Sequence, residues 1–288
     1  KIISGAIKDE SFLGVIFAAD KEDDWTKEET WKKANPAFGS IIKKDYFIQQ
    51  FNKAKQIASY ENTFKRLHLN IWTANETKWI NQEVWDSCNL GEIDLESMKK
   101  RDCFGGLDLA STRDITALTL MFPNEDGSFE VVPFFFLPEE KVYSKKDSDG
   151  VDYLSWCQNG FIIMTEGNVA DYNFIQEKIL DLCKIFNVVG IGFDRWNSSQ
   201  LVINLVDEGV KMNPIGQGFA SMSAPCKELE KLVYSKQLNH ADNPVMKWMV
   251  SNVQIQNDAA GNIKFSKSKS KSKIDGPVSM VMALAQYM

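Results

Sequence analysis

Phe104-Gly105-Gly106-Leu107-Asp108-Leu109-Ala110-Ser111-Thr112-Arg113-Asp114-Ile115-Thr116-Ala117-Leu118-Thr119-Leu120 reads as two apolar strands joined by a short polar turn. Asp108 is embedded in the first of them. A carboxylate inside a buried strand is costly to desolvate unless a positive group meets it. Asp108 is therefore a candidate functional residue, with turn anchoring or a structural ion pair as the alternative. Downstream, an apolar run over 115–122 passes through Pro123-Asn124-Glu125-Asp126-Gly127 into a second run over 129–137. Turn residues between apolar runs predict a hairpin, hence three consecutive antiparallel strands. Pro133 predicts an edge or a bulge in the third.

Beyond a charged insertion (138–160, with a short helix near Tyr153 and Trp156), strands and helices alternate. A short strand is predicted over 161–164. Asp171 is predicted to cap a helix whose face is Phe174, Ile175, Ile179, Leu182, Cys183 and Phe186. Residues 188–193 form a near-continuous apolar run, as expected of a strand buried on both faces, and end in Asp194-Arg195-Trp196. Helices are predicted over 198–207, 228–234 and 244–253, with a strand over 210–215. A last helix starts at Pro277, with Val278, Val281, Met282, Ala285 and Met288 facing inward. This order predicts a mixed α/β sheet flanked by helices.

Upstream, 12–19 reads as a buried strand, and Asp45 is placed to cap a helix carrying Phe47, Ile48, Phe51, Ala54, Ile57 and Ala58. A second helical piece carries Tyr60, Phe64 and Leu67. Trp72, Trp79 and Trp85 stand in a polar background, where tryptophans dock a linker onto a domain or, alternatively, stack on a ligand. Composition turns polar over 86–100. The expected division is a smaller helical and linker segment, 1–90, followed by a main domain, 91–288.

The 288 residues are 44% hydrophobic and 25% charged, ordinary for a globular chain with a sizeable core. No apolar run approaches the roughly 18 residues of a membrane span. Lys1 in place of Met is read as the start of a fragment or a processed chain. Five scattered cysteines without a Cys-x-x-Cys pair disfavour thiolate metal sites and a disulfide framework. Two histidines leave little material for zinc or triad chemistry. With 39 Asp and Glu, any metal is expected to be a hard one held by oxygen. The net charge of −6 excludes a uniformly basic nucleic-acid binder but not a local basic patch.

Three aspartates fall at element ends compatible with one site. Asp108 lies in the first strand, Asp194 ends a buried strand, where ligands gather in open α/β sheets, and Asp275 precedes Gly276-Pro277 at a helix start. Converging carboxylates repel unless cations neutralise them. Two Mg²⁺ or Mn²⁺ ions roughly 3.5–4 Å apart would do so and would clamp the oxygens of a phosphodiester. Taken singly, each residue has a structural alternative: a turn for Asp108, pairing with Arg195 for Asp194, a helix cap for Asp275. Lys267, Lys269, Lys271 and Lys273, spaced by serines, would lie on one face of an extended segment, each able to contact a phosphate. The other use of such a tract is as a solvated hairpin.

These residues resemble the C-terminal portion of the large subunit of tailed-phage terminases. The resemblance runs in order through Gly106-Leu107-Asp108-Leu109-Ala110-Ser111, Thr165-Glu166-Gly167-Asn168-Val169-Ala170-Asp171-Tyr172, Gly192-Phe193-Asp194-Arg195-Trp196 and Lys273-Ile274-Asp275-Gly276-Pro277. Trp31-Lys32-Lys33-Ala34-Asn35-Pro36 and Leu69-Asn70-Ile71-Trp72 look like the family's junction between ATPase and nuclease. It implies an RNase H-like nuclease cutting concatemeric double-stranded DNA during packaging, with Asp108, Asp194 and Asp275 as ligands of two Mg²⁺ or Mn²⁺ ions. Asp171 either joins them or only caps its helix. Lys273 neutralises phosphate charge beside the metals, and Arg195 joins the lysines on DNA. Glu166 departs from the proline common at its position. The implied partners are the ATPase domain, the small terminase subunit and the portal, in the host cytoplasm and away from membranes. No Gly-x-x-x-x-Gly-Lys-Ser/Thr loop is present, so no ATP hydrolysis is expected. A related recombinase or resolvase, a non-catalytic DNA-gripping or motor-docking module, and more remotely an actin-like ATPase are the competing readings.

Overall fold

Aromatic side chains at helical spacing build the first of two units, Lys1–Thr77 and Lys78–Met288. The computed structural model describes residues 11, 13–20, 22–71, 77–110, 114–143, 150–195, 200–258, 260–267, 270 and 272–288. In the first unit, α1 (Glu28–Ala34), α2 (Lys44–Gln56) and α3 (Ala58–His68) close around Trp31, Phe47 and Phe64. Ring centroids lie 5.0 Å apart for Trp31–Phe47 and 5.4 Å for Phe47–Phe64. Lys43, not Asp45, occupies the α2 cap position, and Asp45 sits inside the first turn. The strand expected over 12–19 does not form in residues 13–19. Leu13, Val15, Ile16 and Phe17 are exposed, and the backbone is tied to the unit where Ala19 N donates to Leu69 O. Apolar composition without a neighbouring strand to pair with leaves the segment irregular.

The division at Thr77/Lys78 precedes the expected one at residue 90. Following β1 (Thr77–Lys78), Trp79, Ile80, Trp85 of α4 (Gln82–Asp86) and Cys88 all enter the core of the second unit. The polar tract after them is thus a loop within that unit. Trp79 and Trp85 are therefore core residues of this unit rather than residues that dock a linker onto it, and Trp72 lies outside the described residues. Trp85 stacks on His240 at 4.2 Å, and the His240 Nε2–H donates to Trp85 O while Nδ1 accepts from Asp242 N. That pattern needs a neutral ring, and burial holds the His240 pKa below its ordinary value. A histidine with a lowered folded-state pKa contributes stability that is complete above the unfolded value of about 6.5 and declines as pH falls below it. The melting temperature should drop more steeply between pH 7 and pH 5 in the wild type than in His240→Gln. Equal slopes would rule out this coupling.

The main sheet follows the predicted logic. Strands β2 (Asp102–Asp108), β3 (Thr116–Pro123) and β4 (Phe129–Pro138) are antiparallel neighbours. After α5 (Glu139–Val142) and α6 (Tyr153–Gln158), β5 (Ile163–Thr165) runs parallel to the end of β4. Next come α7 (Tyr172–Ile185), β6 (Asn187–Asp194), α8 (Gln200–Asp207) and β7 (Met212–Ile215). The sheet order is β5-β4-β3-β2-β6-β7, with β2, β6 and β7 parallel. After α9 (Phe219–Tyr234), β8 (Leu238–Asn239) pairs with the start of β4. Pro133 falls between the positions that β8 and β5 cover on β4, an effective edge where its missing N–H costs no ladder bond.

Side chains alternate across the sheet. Leu107, Leu118, Leu120, Ile191 and Phe193 pack under α7 and α8, while Ala117, Met121 and Phe135 pack against α9, α10 (Pro244–Asn252) and α11 (Asp275–Tyr287). Between α10 and α11, β9 (Gln254–Asn257) and β10 (Ile263–Phe265) form an antiparallel hairpin that the sequence did not reveal. Helix α9 begins nine residues before the expected start and runs through Pro225, which is buried. Nor does α11 have one inward face. Residues 275–284 are all buried, whereas Met288 is exposed.

Candidate active site

One face of the sheet determines what can meet. Asp108 and Gly106 share a face of β2, as Asp194 and Gly192 share one of β6, and both faces turn towards α11. A Cβ on Gly106 would lie 1.9 Å from Ser279 O, and one on Gly192 would lie 2.9 Å from Met282 O. Glycines at these two positions let α11 lie directly on the strands. A buried hydroxyl chain fixes its height: Thr119 Oγ1 lies 2.7 Å from Ser279 Oγ, which donates to Gly276 O at 2.7 Å.

The paired positions Leu107 and Phe193 on the parallel strands β2 and β6 immediately precede Asp108 and Asp194. The two carboxylates therefore end neighbouring strands on the α11 side, and Asp275 comes to the same place at the helix start. Asp108 is 2% exposed and Asp275 8%. Chain beyond Asp108 is pinned where Ala110 N donates to Thr116 Oγ1 and Tyr172 Oη donates to Ala110 O at 2.6 Å.

Lys267 stands among these carboxylates. Its Nζ is 2.6 Å from Asp108 Oδ2 and 3.0 Å from Asp275 Oδ1. Burial pushes the Asp108 carboxyl above its usual range, with the Asp275 and Asp194 charges adding to the rise and Lys267 opposing it. Burial also pulls on Lys267, but the two carboxylates outweigh it and hold the ammonium above the ordinary lysine value. Asp108 Oδ2 meets Lys267 as an ion pair outside hydrogen-bond geometry, and Asp275 Oδ2 is a buried oxygen without a hydrogen-bond partner.

Such oxygens are the donors that hard divalent cations take. Among the described residues, no group of three His, Cys, Asp or Glu is placed to hold a metal ion as it stands. The donor chemistry, the burial and the under-satisfied oxygens nevertheless fit a hard ion, at a place where a cation already bridges two of the carboxylates.

The other expected site residues fall as follows. Asp171 is the cap of α7, with Oδ1 accepting from Asn173 N and Phe174 N at 3.1 Å each. Arg195 is exposed at the end of β6. Lys269 and Lys271 lie outside the described residues. The lysine tract is not an extended strand at its start: Ser270 N donates to Ser266 O, closing a turn, so period-two alternation does not apply there. Lys273 pairs with Asp114 at 2.6 Å. Sequence reasoning gave Lys267 to phosphates and missed its place beside Asp108. Nothing in the spacing of the tract showed which lysine would turn inward. Next to the site, a cleft of about 430 Å³ is lined by Glu166, Asp171, Tyr172, Gln176, Gln200 and Asn204.

A mixed sheet with this strand order, flanked by helices and with α11 laid across β2 and β6, is an RNase H-like fold. The sequence model "Terminase large subunit, endonuclease domain" matches residues 6–288, and the chain belongs to this family. It is 32% identical over 279 residues to the terminase large subunit of Enterobacteria phage HK97, covering 96% of this chain and 55% of that protein. Protein YmfN of Escherichia coli (strain K12) is 31% identical over 299 residues, covering 100% and 66% respectively. The crystal structure of the HK97 large terminase superposes with a TM-score of 0.67 at 32% identity, covering 94% of this chain and 56% of that one. The chain thus spans between about half and two thirds of these relatives' length. Among the described residues, no helix is long and apolar enough to cross a membrane.

Proposed function

We propose that this chain is the DNA-cutting portion of a terminase large subunit, a divalent-metal-dependent endonuclease that cuts concatemeric double-stranded viral DNA during genome packaging. The observation that carries this reading is the convergence of Asp108 and Asp275 on one cation, on the face that also holds Asp194. Family membership supports it.

Asp108, Asp194 and Asp275 would hold Mg²⁺ or Mn²⁺. Two such ions, when bound, supply Lewis acidity for in-line attack of water on the phosphodiester and for departure of the 3′ oxygen. The chain's own part is to bind and orient. Buried Asp108 is fixed by the pinned strand end at Ala110, and Asp275 by the seating of α11. Lys267, Lys269, Lys271, Lys273 and Arg195 contact backbone phosphates, so cutting depends only weakly on base sequence. Asp171 supports the site from the α7 cap, either as a further ligand or by holding the helix start.

The first unit is read as the end of the packaging ATPase domain and its linker, without a nucleotide site. The remaining ATPase domain, the small subunit and the portal are the proposed partners, in the host cytoplasm. The purified chain should nick and linearise supercoiled plasmid with Mg²⁺ or Mn²⁺, stop in EDTA, and hydrolyse no ATP. Metal-independent cutting would overturn the metal assignment, and strand transfer or junction resolution would overturn the terminase activity.

A further inference from the structure

Lys267 is an unusual neighbour for a metal site, because its ammonium occupies ground that a divalent ion bridging the same carboxylates would need. The contacts to Asp108 Oδ2 and Asp275 Oδ1 come from different elements, β2 and α11, so the lysine crosslinks the two sides of the site. Its own anchorage is light. Lys267 lies beyond β10, separated from it by Ser266, in a turn held where Ser266 N donates to Gln254 O and Ser270 Oγ donates to Ser266 O. Its side chain remains 52% exposed. Swinging the ammonium into solvent would break two ion pairs but would open no packed core.

We propose that Lys267 is a tethered counter-ion that competes with the catalytic metal: it neutralises Asp108 and Asp275 until a divalent ion displaces it, and so sets the metal affinity of the site. The physical reason is exchange at shared ligands. An ammonium left within a few ångströms of a divalent ion would be repelled strongly in a partly buried site. Removing the lysine charge abolishes the competitor and leaves two carboxylates facing one another, and both effects favour metal. The displaced lysine is then available to a phosphate. This proposal rests on the metal-dependent reading given above.

The test is calorimetric titration of the full chain with MnCl₂, without DNA, so that no cutting enters the readout. Lys267→Gln should bind Mn²⁺ about tenfold more tightly than wild type, while Lys267→Arg, which keeps the charge, should stay near wild type. Asp108→Asn should abolish the affinity gain when combined with Lys267→Gln. Thermal melting of each variant confirms that it is folded. Unchanged or weaker Mn²⁺ binding in folded Lys267→Gln, with measurable wild-type binding, overturns the Lys267 proposal alone. No Mn²⁺ binding in either protein overturns the metal-site reading and this proposal with it.

Discussion

Asp108→Asn should lower metal-dependent plasmid nicking by roughly a thousandfold, with Asp194→Asn and Asp275→Asn close behind. The amide is nearly isosteric with the carboxylate but carries no charge and is a poor ligand for a hard cation. Losing several kcal/mol of transition-state stabilisation corresponds to about three orders of magnitude in rate. Asp108 is the most informative position because two opposing effects on stability meet there. Burial and the Asp275 and Asp194 charges push its carboxyl up, while Lys267, 2.6 Å from Oδ2, opposes them. The amide removes the buried charge and the ion pair together, so the melting temperature, measured in EDTA, should change little. Nicking by folded Asp108→Asn at the wild-type rate would remove this residue from the metal site. A variant that fails to fold would show that the ion pair with Lys267 outweighs the cost of burying the carboxylate.

What the sequence revealed and what it concealed separate along physical lines. The hairpin strands β2, β3 and β4 were legible because Asn124 and Gly127 break two apolar runs, and turn chemistry is local. Asp108 and Asp194 were legible for a related reason, since each ends a strand whose apolar pattern is unambiguous. Asp275 was located correctly, but its helix was misread. A helix touched on every side carries no apolar stripe, so its periodicity holds no direction. Proline hid the first half of α9. Pro225 lacks the N–H a helix interior uses, yet its ring is buried in the core, and tertiary packing outweighed the local rule. The strands β9 and β10 are short and partly polar, with no alternation long enough to read. Lys267 was assigned its charge but not its partner, because period-two spacing presupposes an extended chain and the chain turns at Ser266.

Gly106→Ala should be among the most destabilising single-methyl changes in the chain, lowering stability by about 3–5 kcal/mol or preventing folding. The added Cβ would lie 1.9 Å from Ser279 O and 2.5 Å from Ala283 N, both backbone atoms of α11. No rotamer relieves that contact, so the helix itself must lift. Gly105→Ala next door provides the comparison, since its Cβ would meet only the Ile191 side chain, 2.8 Å from Cγ1, and a side chain can shift. The melting temperature should thus fall on the order of 10 °C for Gly106→Ala and by clearly less for Gly105→Ala. Lifting α11 also has a chemical consequence. Asp275 rides on that helix, and the Thr119–Ser279 contact that sets its height would part. Any folded fraction of Gly106→Ala should therefore bind Mn²⁺ more weakly than wild type, although every carboxylate is intact. Equal stability of the two alanine variants would show that α11 has room to move on the sheet. In that case the close approach at Gly106 would not be what positions Asp275.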